Sequence, residues 1–264
     1  KALQFTLLAW LLALSYGLSR PPAAAPDHTA LLLRTDYDSF SKAAGDVGAL
    51  WAAQQRLSAQ RLPGELVIWS ETSLFYPQFL PTLPDGIYGL GQGGQNTAVG
   101  VQGGQITGRY VKAHPVPFGE YFPLADGPLR GLYEAIFQAL GLSFEQEYPA
   151  TQLDVLPLRG ALYGVYICYD SIFPGVARQL ALEGAQVLVN VSNDGWYAGW
   201  GGAQHFAMGR LRAIETRRWV LRSVNKGVAG AVNERGEVLS ALGQGEGALH
   251  VSYAALNGQT LDRK

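Results

Sequence analysis

Cys168 is the only cysteine in the 264 residues, so no disulfide forms within the chain. It ends the apolar, β-prone run 162–167, and polar residues follow at once. Such a run reads as a buried strand, and strand ends are where α/β folds place their chemistry. A lone cysteine has a plain reading as a small core hydrophobe. Its other reading is a nucleophile, which needs a base and an oxyanion donor brought from elsewhere. Two segments offer these groups. Glu71 follows a second apolar run, 66–69, and Lys112 opens the stiff loop KAHPVPFGEY over 112–121, which also carries His114 and Glu120. A carboxylate takes a thiol proton, and an ammonium stabilises both a thiolate and the oxyanion formed when the thiol attacks a carbonyl. The backbone N–H of Tyr169, next after the thiol, is a further oxyanion donor. Each group keeps a plainer reading beside this one: Glu71 as a helix or turn cap, the charges of the 112–121 loop as a solvated pair worth little.

Other chemistries fit less well. The four histidines, 28, 114, 205 and 250, are scattered, and none stands beside a serine at a strand end. No HxxxH or CxxC spacing marks a zinc site, so no metal and no cofactor is expected. A net charge of −1 without a basic cluster gives no reason to expect nucleic acid.

The elements that must position these residues follow from periodicity. Short strands are expected at 29–34, 66–69, 87–91, 97–102 and 105–112, the last two joined by the Gly103-Gly104 hairpin signal. Helices are expected over 40–62, stopped by Pro63-Gly64, and over 128–142. A strand at 153–158 turns into the Cys168 strand. A helix over 172–183, a strand at 186–191, a helix over 201–217 and strands at 219–224, 229–233 and 248–251 complete the chain. The 186–191 strand breaks into Ser192-Asn-Asp-Gly-Trp196, a third polar strand end. Strands that alternate with helices and later pair as hairpins imply an α/β fold with mixed sheets.

The N-terminus stands apart. Residues 2–18 are apolar but for Gln4, Thr6 and Ser15, at the short end of what a membrane helix needs. A signal peptide, a single membrane anchor and the tail of a longer membrane domain compete as readings, against a buried helix of a soluble domain. Arg20-Pro-Pro and the Ala/Pro run to Pro26 read as an exposed linker. The division is therefore 1–20 as membrane segment, 21–27 as linker and 28–264 as catalytic domain.

Taken together, WSE at 69–71, KAHPVPFGEY at 112–121, ICYD at 167–170 and SNDGW at 192–196 resemble the nitrilase, or carbon–nitrogen hydrolase, superfamily. More narrowly, the 112–121 loop, QHFAMGRLRAIE at 204–215 and LRSVNKG at 221–227 are similar to the apolipoprotein N-acyltransferase family. The resemblance implies an αββα sandwich. It implies Glu71 as general base, Lys112 as stabiliser of thiolate and oxyanion, and Cys168 as nucleophile. Glu120 would position Lys112, while Tyr169, Asp170 and Trp196 would support the site or bind substrate. The reaction implied is a ping-pong transfer. An acyl chain moves from a phospholipid to the cysteine as a thioester, then to the α-amino group of an apolipoprotein's diacylglyceryl-cysteine. The setting implied is the bacterial inner membrane with the catalytic domain in the periplasm, and a further membrane helix beyond Lys264. The chain departs from the family pattern in Ser70, in Asp170 where a glutamate is usual, in the end of its first strand, and in the short segment 77–85. An amidase using the same triad, and a catalytically silent membrane-tethered binding module, are the competing readings. The 2–18 segment and the VPFGEY sequence weigh against the first, and the joint presence of Glu71, Lys112, Glu120 and Cys168 against the second.

Overall fold

A computed structural model describes residues 2–18, 22–43, 45–92, 94–141, 144–197 and 199–257. Lys1, Arg20, Pro21, Leu142 and Lys264, on which some expectations fall, lie outside the described residues. Helix α1 (Ala2–Leu18) comes first. Its large apolar side chains are exposed, Trp10 at 70% and Leu3 at 72%. Among the described residues no helix is long and apolar enough to cross a membrane. The expected linker is irregular over 22–27 but tied to the body: the Ala24 N–H donates to Glu234 and the Asp27 N–H to the Tyr253 carbonyl.

The first half of the sheet is β1 (His28–Thr35), β2 (Leu66–Ile68), β3 (Gly86–Gln92), β4 (Gln95–Gln102) and β5 (Gln105–Val111). The second half is β6 (Leu156–Leu158), β7 (Ala161–Ile167), β8 (Val187–Asn193) and β9 (Trp219–Asn225). Hydrogen bonding runs β5-β4-β3-β2-β1-β9-β8-β7-β6. The centre is parallel, and the hairpins β3-β4-β5 and β6-β7 are antiparallel. Strands β10 (Ala229–Val232) and β11 (Val238–Leu242) add antiparallel beside β9, and β12 (Gly247–Tyr253) beside β1. Only Arg34 and Thr35 of β1 pair with β9. At that narrow junction the sheet turns back, so its two halves face each other.

Both faces of the central strands β1, β2, β8 and β9 are buried, which is why these strands read as near-continuous apolar runs. Along β1, Ala30 and Leu32 enter the core between the halves, with Ile68, Ala98, Tyr163 and Val165. Leu31 and Leu33, on the opposite face by strand alternation, pack with Val67, Trp69 and Leu57. Leu57 belongs to α3 (Gly48–Ser58), which covers this outer face. The other outer face lies under α5 (Pro174–Leu182) and α6 (Gly201–Thr216), through Val176, Leu180 and Ala213. These are the layers of an αββα sandwich. Gly100 and Gly108 sit opposite each other on β4 and β5, and a Cβ on either would meet Leu156 of the facing half at 3.3 Å.

Several elements differ from expectation. The single helix over 40–62 is two, α2 (Ser39–Ala43) and α3, because Gly45 takes φ +83 between them. The 128–142 helix is α4 (Arg130–Ala139), with no fully buried residue of its own. It is held instead by rings of Tyr133 and Phe137 against Phe122. The 153–158 strand shrinks to β6, an edge strand that tolerates Pro157. β11 is absent from the expectations, since VLSAL leaves most of its side chains exposed and lacks a clean period. The segment 77–85 holds only a 3-10 turn, Pro77–Thr82, in keeping with its shortness.

Candidate active site

The carboxyl ends of β2, β5, β7 and β8 open on one rim, as parallel strands and a returning hairpin require. Glu71 stands three residues past β2, on a turn in which Thr72 takes φ +42 and Ser73 Oγ donates to the Ser70 carbonyl at 2.6 Å. Lys112 directly follows β5, and its N–H extends the ladder to the Asn96 carbonyl at 2.8 Å. Cys168 directly follows β7, at φ +45.

The Lys112 side chain is buried, with Nζ 3.0 Å from Glu71 Oε1 and 2.7 Å from Glu120 Oε1. Asn96 Nδ2 donates to the same Glu71 oxygen at 2.8 Å. Glu120 Oε2 accepts from the Val116 N–H at 2.8 Å, which closes the 112–121 loop on itself. Burial favours the neutral form of Glu71, but the charges of Lys112 and Lys42 outweigh it and hold this carboxyl below its ordinary range. Burial alone would discharge Lys112; the facing carboxylates and the cysteine keep it firmly ammonium. Glu120 is pushed up, chiefly by burial. The Cys168 thiol is pushed up to about 12 by burial and the Glu71 charge, against the opposing pull of Lys112 and a Ser192 hydrogen bond. The resting site therefore holds a neutral thiol, a carboxylate base and an ammonium, which is the protonation state for attack on a carbonyl with base assistance.

Asp170 is fully buried and accepts from the backbone N–H groups of Ile167, Ala113 and His114 and from the Tyr110 hydroxyl. It joins the cysteine turn to the lysine loop. His114 Nδ1 lies 3.2 Å from Asp170 Oδ1, its ring stacked on Phe173. Behind Cys168 stands a second buried cluster: Asp194 accepts from Arg222 at 2.8 and 2.7 Å and from Ser192 Oγ at 2.8 Å, and faces His205 Nδ1 at 2.8 Å. Burial opposes ionisation of Asp194, yet Arg222 and His205 hold its carboxyl low. The ligand atoms of Cys168, Asp194 and His205 lie within 4.8 Å of one another. The cluster is neither a Cys-His dyad nor a metal site. His205 Nε2 bonds the Cys168 carbonyl at 3.0 Å and so must carry a hydrogen, and Nδ1 is engaged by Asp194 and Arg222, so neither nitrogen is left for a thiol proton. Both Asp194 oxygens already face the Arg222 cation.

A cavity of about 620 Å³ opens over these groups, lined by Glu71, Glu120, Cys168 and Tyr169, with Trp196 on its wall. Trp196 is 54% exposed and meets Phe40 edge to face at 5.3 Å. All seven expected site residues thus gather around this cavity, except that Lys112 and Asp170 lie behind its surface. Lys42, Asn96, Glu147 and His205 were not expected. Lys42 Nζ donates to the Glu71 carbonyl at 2.8 Å, and burial lowers its ammonium to about 8. Glu147 lines the cavity and is raised to about 8 by burial and the Glu120 charge. Lys42, Glu147 and His205 leave no sequence signal of a role in the site.

The sequence profile of the carbon-nitrogen hydrolase family matches residues 91–263. The chain is 37% identical over 165 residues to the apolipoprotein N-acyltransferase of Synechocystis, covering 61% of this chain and 31% of that protein. It is 31% identical over 271 residues to the enzyme of the same name from Allorhizobium ampelinum, covering 87% of this chain and 49% of the relative. The chain thus spans half or less of the length of these relatives. Among solved structures, an amidase from Nesterenkonia superposes with a TM-score of 0.61 at 17% identity, covering 90% of this chain and 95% of that one. Nit3 of Saccharomyces cerevisiae superposes with a TM-score of 0.58 at 17% identity, covering 89% and 93%. With a family profile matched over most of its length and the αββα layers in place, the chain belongs to the carbon-nitrogen hydrolase family.

Proposed function

We propose that this chain carries the catalytic site of an N-acyltransferase that moves a fatty acyl chain from phospholipid to the N-terminal diacylglyceryl-cysteine of apolipoproteins. The observation that carries the reading is the Lys112 ammonium, seated between Glu71 and Glu120 and beside Cys168, just behind the surface of a largely apolar cavity. The names of the relatives supply the acceptor class.

In the first half-reaction Glu71 takes the Cys168 proton as Sγ attacks the ester carbonyl of the phospholipid. The C–S bond forms, and the carbonyl pair moves onto oxygen opposite Lys112. Collapse breaks the C–O bond, and the lysophospholipid alkoxide leaves with the proton from Glu71. In the second half-reaction the acceptor amine attacks the thioester, Glu71 takes its proton, and the thiol leaves protonated. Glu120 holds Lys112 in place through both. The exposed apolar helix α1 and the exposed aromatic pair Trp196 and Trp200 support attachment to a membrane, in this reading the periplasmic face of the bacterial inner membrane.

Intact-protein mass spectrometry after incubation in phospholipid micelles tests the proposal. A fatty-acyl adduct on Cys168 that a diacylated lipopeptide then removes is the expected result. A chain that never acquires the adduct but hydrolyses small amides would be an amidase instead.

A further inference from the structure

Cys168 holds a left-handed backbone, φ +45, which a non-glycine residue keeps only under external restraint. The restraint is visible. The Cys168 carbonyl accepts from Nε2 of His205 at 3.0 Å. His205 is buried on α6, and its Nδ1 faces Asp194 Oδ1 at 2.8 Å and Arg222 Nη2 at 3.1 Å. Arg222 is itself anchored to the Asn190 side chain and the Val228 carbonyl. The imidazole is therefore fixed on both nitrogens.

Among the described residues no peptide is cis, so the Tyr169 N–H points opposite to the Cys168 C=O. Tyr169 is the second residue of the 3-10 turn Cys168–Ile172, so its N–H precedes the turn's own hydrogen bonds. Tyr169 lines the cavity, whereas His205 does not. We propose that His205 is a positioning residue that grips the Cys168 carbonyl from behind and thereby aims the Tyr169 N–H at the oxygen of the carbonyl under attack. The proposal rests on Cys168 as nucleophile. In the step concerned the Sγ–C bond forms, the C=O pair moves to oxygen and the thiol proton passes to Glu71. His205 touches none of the reacting atoms. It acts only through the direction of one peptide plane.

Two reactions of the same thiol separate this role from a merely structural one. Acylation by p-nitrophenyl butyrate builds an oxyanion and releases p-nitrophenol, whereas alkylation by iodoacetamide, at a saturated carbon with loss of iodide, builds none. Loss of an oxyanion donor lowers rates by about 10²–10³-fold, so misaiming one through His205→Ala should lower Cys168 acylation by roughly 10- to 100-fold. Alkylation should keep the parent rate. His205→Gln retains an N–H of similar reach and should recover most of the acylation. If His205→Ala does not fold, His205→Asn, polar but too short to reach the carbonyl, carries the same expectation. Equal loss of both reactions, loss of neither, or a glutamine variant no better than the alanine one overturns the proposal. A parent protein that alkylates at Cys168 but never acylates withdraws the nucleophile reading itself, and this proposal with it.

Discussion

Asp170 Oδ1 accepts the backbone N–H of His114 at 2.8 Å, so the residue two past the cysteine clamps the residue two past the lysine. Its other oxygen accepts from Ile167, Ala113 and the Tyr110 hydroxyl, the last at 2.8 Å. Every one of these partners is a donor. An amide at this position would set its own N–H groups against them. Asp170→Asn should therefore cost about 2–4 kcal/mol in urea unfolding, several charge-assisted bonds being weakened at once. It should also slow Cys168 acylation, since the cysteine turn and the lysine loop lose their shared anchor. Asp170→Glu restores the residue usual in the family, but its extra methylene enters a fully buried site here and should cost about 1–3 kcal/mol. Parent-like unfolding midpoints for both variants would show that the clamp contributes nothing.

Glu71 and Lys112 should respond differently to neutralisation. Glu71→Gln leaves Lys112 its Glu120 partner, so the fold should survive while acylation falls by ~10²–10⁴-fold with loss of the base. Lys112→Met removes the cation from between the buried Glu71 and the part-buried Glu120 carboxyl groups and should destabilise by about 3–5 kcal/mol. Thermal melts beside single-turnover acylation distinguish the two. A Glu71→Gln protein acylated at the parent rate would remove Glu71 from the mechanism.

The titration of Cys168 predicts a stability loss at alkaline pH. Its thiol is raised from 9.0 to about 12, so between these values the native state keeps a proton that the unfolded chain has released. The Cys168 contribution to unfolding free energy must then fall with rising pH, by at most ~1.4 kcal/mol per unit, while Lys42, lowered from 10.5 to about 8, contributes in the opposite sense up to pH 10.5. Lys112, raised above its ordinary 10.5, begins to oppose unfolding less only above that value. Below pH 9 the Cys168 contribution is flat. The stability of the parent relative to Cys168→Ala should therefore fall from pH 9 to 10.5, measured by urea unfolding of both proteins across that range. Glu71, held below 4.5, acts at the other end: its stabilisation is present above that value and is lost as pH falls through its lower native one.

The three strand ends were legible because each carries one chemical group after an apolar run, and a parallel centre forces such ends to one rim. That pattern made Glu71, Lys112 and Cys168 candidates, and the family resemblance supplied the roles expected of them. His205 was not legible, because its role is to bond a backbone carbonyl, and no side-chain pairing announces it. Lys42 was not singled out for a local reason: Gly45 breaks what periodicity treats as one helix, and the short α2 it creates turns Lys42 toward the Glu71 carbonyl. Strands β1, β7 and β8 were found nearly to the residue, since both their faces are buried. β11 and the limits of α4 were not, because elements that bury little carry little pattern.

Gly89 offers a test of how Glu71 is placed that touches no reacting group. A Cβ there would lie 2.3 Å from the Ser70 carbonyl oxygen, 2.7 Å from the Thr72 nitrogen and 2.8 Å from the Glu71 Cα, all backbone. The turn is meanwhile drawn onto β3 by the N–H groups of Ser73 and Leu74, which donate to the Gly89 carbonyl at 2.9 and 2.8 Å. Gly89→Ala must therefore push the Glu71 turn away from the sheet and lengthen its contact with Lys112. Lys112 itself keeps Glu120, and Cys168 keeps its own strand. We expect acylation to fall by at least ~10²-fold, the order that small misplacements of a reacting group produce. Gly91→Ala, two residues along the same strand, is the control. Its Cβ would make an ordinary 3.5 Å contact with the Thr72 methyl, so acylation should stay near the parent rate. Equal rates for the two alanine variants would mean that Glu71 is positioned by Lys112 and Asn96 alone and not by the fit of its turn against β3.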